Sequence, residues 1–276
     1  MQRTVIGAIA HQEFKIAVRS RWLVVFAVVF GVLAMGLALF GARVEGLGET
    51  QSFSRTAISI LNLVLYVVPL AALMMGALSF GTRSGSAELL FAQPLPRRWI
   101  LTGKLLGLWA SLSLATLIGF GASGIFVAGQ VGWEGVGRYA LVVGLCVMMI
   151  LIFLSIAGLV AFVLRDPMKS VAAALLVWFF FVIFYDLLVM GGAALLHGAA
   201  ANRFIFLSLF GNPVDLVRVA ALIALGGKHV FGISGAMLLR FWGGPLASVG
   251  VLLLALLTWT CLPYIIAARQ LRRLDI

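Results

Sequence analysis

YALVVGLCVMMILIFLSIAGLVAFVL, residues 139–164, runs for 26 positions without one charged side chain. The hydrocarbon core of a bilayer is about 30 Å thick, and a helix needs about 20 apolar residues to cross it. A surface helix of a soluble domain would interrupt such a run with a polar stripe. In lipid every backbone N–H and C=O must be satisfied within the segment, which makes an isolated apolar run of this length a helix. Outward from it, comparable runs lie at about 22–40, 57–80, 105–128, 171–196 and 246–268. The expectation is an all-α integral membrane protein with six transmembrane helices, one domain over residues 1–276.

Composition agrees. The 276 residues are 63% hydrophobic and 11% charged, whereas a soluble domain is about half apolar and about a quarter charged. The net charge of +11 would suggest nucleic acid in a soluble protein. Here the basic residues lie between apolar runs, where they set orientation, and no nucleic-acid partner is expected. Placing both ends in the cytoplasm puts 13 of the 20 Lys and Arg residues inside, on the shorter loops. The positive-inside rule favours that arrangement of a multi-pass protein. The N-terminal stretch lacks a small-x-small cleavage site before the acidic loop, so it does not read as a removed leader. Cys146 and Cys261 both fall within apolar runs and read as small buried residues.

The connections carry the remaining information. Residues 1–21 mix Val5, Ile9, Phe14, Ile16 and Val18 with Arg3, Lys15, Arg19 and Arg21, the pattern of an amphipathic helix in the membrane interface. Residues 81–104 form the most polar internal loop, on the cytoplasmic side. Within it Ala87, Glu88, Leu89, Leu90 and Phe91 make about one and a half helical turns, ended by Gln93-Pro94. Apolar Leu89, Leu90 and Phe91 facing the cytosol call for a partner to cover them. The turn with Arg165, Asp166 and Lys169 lies on the same side and is a second candidate contact. The long connection 197–245 holds a possible seventh span at Val214–Leu225. With about 12 residues, Asp215 and Arg218, it is too short and too charged to cross cheaply. It reads instead as an extracytoplasmic interfacial helix starting at Asn212-Pro213, with Asn212, Pro213, Asp215 and Arg218 as candidate contacts for a partner on that side.

Signatures of catalysis are missing. Gly103-Lys104 and Gly227-Lys228 lack the following Ser/Thr of a phosphate-binding loop, and there is neither His-Glu-x-x-His nor Gly-x-Ser-x-Gly. His11, His197 and His229 are scattered. No enzyme activity, catalytic residue or metal ligand is expected. Asp186 is the acid well inside a span. It reads either as part of a pathway or as a carboxylate near the outer end, bonded to Tyr185 or a neighbouring helix. Cys146, Met148 and Met149 could offer soft ligands to Cu(I), although Met serves more simply as adaptable core filling. Gly103, Gly107, Ser111, Ala115, Gly119 and Ser123 recur every fourth residue. Such a row lets another helix approach closely, within the bundle or across a dimer.

Three stretches carry a resemblance to the permease subunits of ABC-2-type transporters. Glu13-Phe14-Lys15 with Arg19-Ser20-Arg21-Trp22 resembles the family's amphipathic elbow helix. Gly85-Ser86-x-Glu88-Leu89-Leu90, then Pro94-Leu95 and Gly103-Lys104-Leu105-Leu106-Gly107, resembles its cytoplasmic coupling helix between spans 2 and 3 and the entry to span 3. The six spans with a long outer connection before the last also match. Within the family, Trp178-Phe179-Phe180-Phe181-Val182 with Tyr185-Asp186, and Asn212-Pro213-Val214-Asp215-x-x-Arg218, are most similar to the NosY type, from the machinery that matures the copper enzyme nitrous oxide reductase. One departure is Gly81-Thr82-Arg83-Ser84, where relatives often carry acids. The resemblance implies a homodimer on a cytosolic NosF-like ATPase, which would hold ATP and Mg, so this chain would carry no cofactor. It also implies a periplasmic NosD-like partner, with copper chaperones and the reductase reached indirectly. An exporter of a lipid-like or drug-like molecule, or a scaffold without nucleotide coupling, are the other readings.

Overall fold

A computed structural model describes residues 2–42, 49–81, 95–131, 136–225 and 245–272. The elements are α1 (Gln2–Val18), α2 (Arg21–Ala42), α3 (Glu49–Phe80), α4 (Arg97–Val131), α5 (Val136–Leu164), α6 (Pro167–Phe179), a π-helical turn (Phe180–Phe184), α7 (Tyr185–Ala194), α8 (Ala199–Ser208), a 3₁₀ turn (Leu209–Gly211), α9 (Pro213–Ala224) and α10 (Pro245–Arg272). Among the described residues there is no strand, and six helical segments are long and apolar enough to cross a membrane. The expected spans are all present. The fifth is made of α6, the π turn and α7, running continuously from Pro167 to Ala194.

Local sequence explains the breaks. Asp166 caps α6, accepting the Lys169 N–H at 3.0 Å, and Pro167 takes the first helical position, where its missing N–H is not needed. Asn212 caps α9 in the same way through Val214, again with proline following. At the π turn the Tyr185 N–H reaches back five residues to Phe180 O, in a run of bulky aromatics that crowd an ordinary α register.

The spans do not share burial equally. About half or more of the apolar windows of α3, α4 and α5 is buried inside the bundle, against 28% for α2, 17% for α10 and 11% for α6–α7. The first three are the middle of the bundle and the others present most of their side chains outward, as lipid contact requires. Phe30, Phe80, Phe120, Phe153 and Phe162 are fully buried in the shared core. Lipid is as apolar as leucine, so close packing and not water exclusion selects these contacts.

The row of small residues on α4 is used within the chain. A Cβ built on Gly107 would lie 2.5 Å from Ala10 O, and one on Gly103 2.7 Å from Ile9 Cβ, so α1 rests directly on α4. Further along, a Cβ on Gly119 would lie 2.6 Å from the Phe30 ring of α2. Helix α4 also begins earlier than expected. Residues 97–104, read as loop, are its first two turns, because α1 covers that face and gives Lys104 a buried partner.

Candidate functional site

Two polar clusters mark the two ends of the bundle. The first lies at the end that holds α1, the start of α4 and the last turn of α10. The docking residues expected there, Ala87, Glu88, Leu89, Leu90, Phe91, Gln93 and Pro94, lie outside the described residues. Their two footings do not. On one side α3 ends at Phe80 and Gly81, where a Cβ on Gly81 would lie 3.2 Å from Pro167. On the other, the Arg97 Nη1 donates to Leu271 O of α10 at 3.0 Å, and Thr102 Oγ1 lies 2.7 Å from Tyr264 Oη. The Pro167 contact brings the turn of Arg165, Asp166 and Lys169 beside the exit of α3. Arg165, in the left-handed region at φ 56°, and Lys169 are exposed, and Met168 is 80% exposed. The Asp166 carboxylate is engaged as the helix cap, and Lys169 stands exposed beside it.

Beneath these footings is a buried ion pair. Glu13 of α1 meets Lys104 of α4 at 3.3 Å, with 4% of the Lys104 and 7% of the Glu13 side chain exposed, and the Ser79 hydroxyl of α3 donates to the same carboxylate. The α1 helix is therefore fastened to two spans and is not an amphipath whose charges all face outward. In the sequence, Glu13 stands out only through the resemblance of Glu13-Phe14-Lys15 to an elbow helix. The available signal was that it is the single acid in the first 44 residues.

The second cluster closes the opposite end. Helices α8 and α9 meet at 104° around Asn212. The α9 helix has eight of its twelve residues buried, Pro213, Val214, Leu216 and Val217 among them. More than one side of the helix is therefore enclosed. The helix is wedged among α3, α5 and α10, and its tight Ala-rich sides permit it. Asn212 is 1% exposed. Its Nδ2 donates to Phe181 O of the π turn and to Asp215 Oδ2, both at 2.9 Å. Arg218 donates to Asp215 at 2.8 Å and to Asp186 of α7 at 3.3 Å. Asp186 is thus paired with a neighbouring helix. Tyr185 Oη donates to Ser208 O at 2.6 Å, and the Trp259 indole of α10 donates to Phe210 O at 3.0 Å. Asp215, which belongs to none of the six spans, has its carboxyl held well above the usual carboxylate range. Burial is the main cause, Arg218 and Asn212 oppose it, and Asp186 adds to it.

This corrects the expected partner surface. Asn212 and Pro213 are enclosed by this chain's own packing, because the cap and the π-turn carbonyl consume the amide. Asp215 and Arg218, half-buried, are spent chiefly on each other and on Asp186.

A groove of about 540 Å³ opens between α5, α9 and α10, lined by Leu141, Gly144, Met148, Ala220, Ile223 and Leu253. It has almost no polar lining and suits an apolar chain better than an ion. Cys146 and Met149 are fully buried in the core, and Met148 turns to the groove, so the three sulfurs share no open site.

The sequence profile described as "ABC-2 family transporter protein" matches residues 7–276. The chain belongs to the ABC-2 transporter family. Two curated relatives sharpen this. The "Probable ABC transporter permease protein NosY" of Pseudomonas aeruginosa is 31% identical over 266 residues, covering 92% of this chain and 93% of that one. The protein of the same name from Stutzerimonas stutzeri is 31% identical over 276 residues, covering 96% and 97%. This ABC-2 permease subunit is similar to both over essentially its whole length, and it is a multi-pass protein of the bacterial inner membrane.

Proposed function

We propose that this ABC-2 permease works as half of a homodimer that couples ATP hydrolysis on a NosF-like cytosolic ATPase to a periplasmic event. That event is copper-site maturation of nitrous oxide reductase, with a NosD-like protein as the periplasmic partner and copper chaperones acting outside this chain. Both termini face the cytoplasm, so the Glu13–Lys104 end receives the ATPase and the Asn212 hairpin faces the periplasm. The observation that carries the reading is the likeness to NosY-named permeases across more than nine-tenths of both chains. The hairpin locked to the fifth and sixth spans supports it, since a transmitted movement needs an element both can shift.

The test is the Glu88→Ala, Leu90→Ala double variant, expressed with the ATPase subunit. Loss of co-purification, or of the ATPase response to the membrane subunit, is expected. Unchanged assembly and response would overturn the coupling assignment. The apolar groove favours one second reading, an exporter of a lipid-like molecule. Transfer of a labelled lipid across vesicles holding the complex would support it.

A further inference from the structure

The last span is held at both ends and weakened in between. Its lower half, Tyr264–Leu271, is tied to the start of α4 by Arg97 and Thr102. Its upper half is tied to the hairpin by Trp259, whose indole donates to Phe210 O and whose ring stands edge-on to Phe181 at 5.4 Å. Between them lies Pro263, buried within α10. A helical proline offers no N–H to the carbonyl four residues before it. That carbonyl belongs to Trp259, the residue that grips the hairpin. Thr258 and Thr260 add to the weakening. Their hydroxyls donate back to Leu254 O and Leu256 O, each at 3.0 Å, competing with the backbone ladder in the way that bends helices.

We infer that α10 is a jointed transmission rod, with Arg97 and Thr102 as the input grip, Trp259 as the output grip and Thr260–Pro263, between the two grips, as the joint. The inference rests on the coupling reading, and it assigns the positioning residues of that coupling. Movement of the docking loop reaches α10 through Arg97, which sits at the loop's exit. The missing bond at Trp259 lets the upper half swing against the lower. The swing leaves through Phe210 into a hairpin that Asn212 and Arg218 tie to the fifth span.

The experiment uses the chain with its ATPase subunit in lipid nanodiscs, in a Cys261→Ser background. Spin labels are placed at Ile265 with Val25 for the lower half, and at Leu207 with Ile125 for the hairpin, all of them exposed positions. A non-hydrolysable ATP analogue is expected to shift both distances in the otherwise unaltered chain. Pro263→Ala, which restores the helical bond, should keep the lower shift and cut the hairpin shift at least threefold. Trp259→Phe, which keeps a ring and removes the N–H, should do the same. Full hairpin shifts in both variants would overturn the joint while leaving the coupling reading intact. No shift at either pair in the unaltered chain, with the ATPase bound, would sink the coupling reading and the joint together.

Discussion

The two ends of the bundle both hold ion pairs, and they hold them differently. The Glu13–Lys104 pair is dry, with less than a tenth of either side chain exposed, and it sits where glycines let α1 touch α4. The Asp186–Arg218 pair is 40% and 26% exposed and part of a wider net of side-chain and backbone bonds. A dry pair is costly to break, because the surviving charge has no water to return to. A wet pair is cheap to break and remake. The first is suited to a fixed footing and the second to a contact that is exchanged during a cycle.

The sharpest way to break that contrast is Glu13→Ala. It should cost about 3–5 kcal/mol by leaving Lys104 buried alone, read as a lowered unfolding temperature in nanodiscs. Glu13→Leu with Lys104→Met should recover most of the loss. A mild effect of the single change would erase the distinction between the ends. Gly107→Leu comes next, at about 1–3 kcal/mol or more, since no rotamer avoids the Ala10 carbonyl. Limited proteolysis should show α1 released from α4. At the other end Asn212→Ala should cost about 1–3 kcal/mol, by losing a helix cap and stranding Phe181 O. Smallest should be Asp186→Asn, within about 1 kcal/mol and weaker still in high salt, since Arg218 keeps Asp215. A loss as large as that of Glu13→Ala would show that the outer pair is as structural as the inner one.

What was legible in the sequence follows from what each pattern encodes. The six spans were readable because hydrophobic length is a local property, and the ladder at 139–164 needs no neighbour to interpret it. The helix start at Asn212-Pro213 was equally local, whereas Asp166-Pro167, the same pattern, was read as a contact turn and proved to be a cap. The Glu13–Lys104–Ser79 cluster was not legible, because its members are up to 91 residues apart in the chain and lie on three helices. The small-residue row was recognised as packing, but a one-dimensional pattern cannot say which helix fills it. Here α1 takes Gly103 and Gly107, and α2 takes Gly119. The α9 helix was read as interfacial because its charges, Asp215 and Arg218, argued against burial. Their mutual pairing with Asp186 is what allows the helix to be enclosed.

The proposed coupling requires that nucleotide on the ATPase be felt at the hairpin while the α1–α4 footing holds. Hydrogen–deuterium exchange on the nanodisc complex, with and without a non-hydrolysable ATP analogue, tests it most directly. A change in protection is expected in residues 199–225 and around residues 258–264, with α1 and the residues it rests on, 103–110, unaltered. Equal change at both ends, or a change confined to the α1–α4 footing, would contradict it.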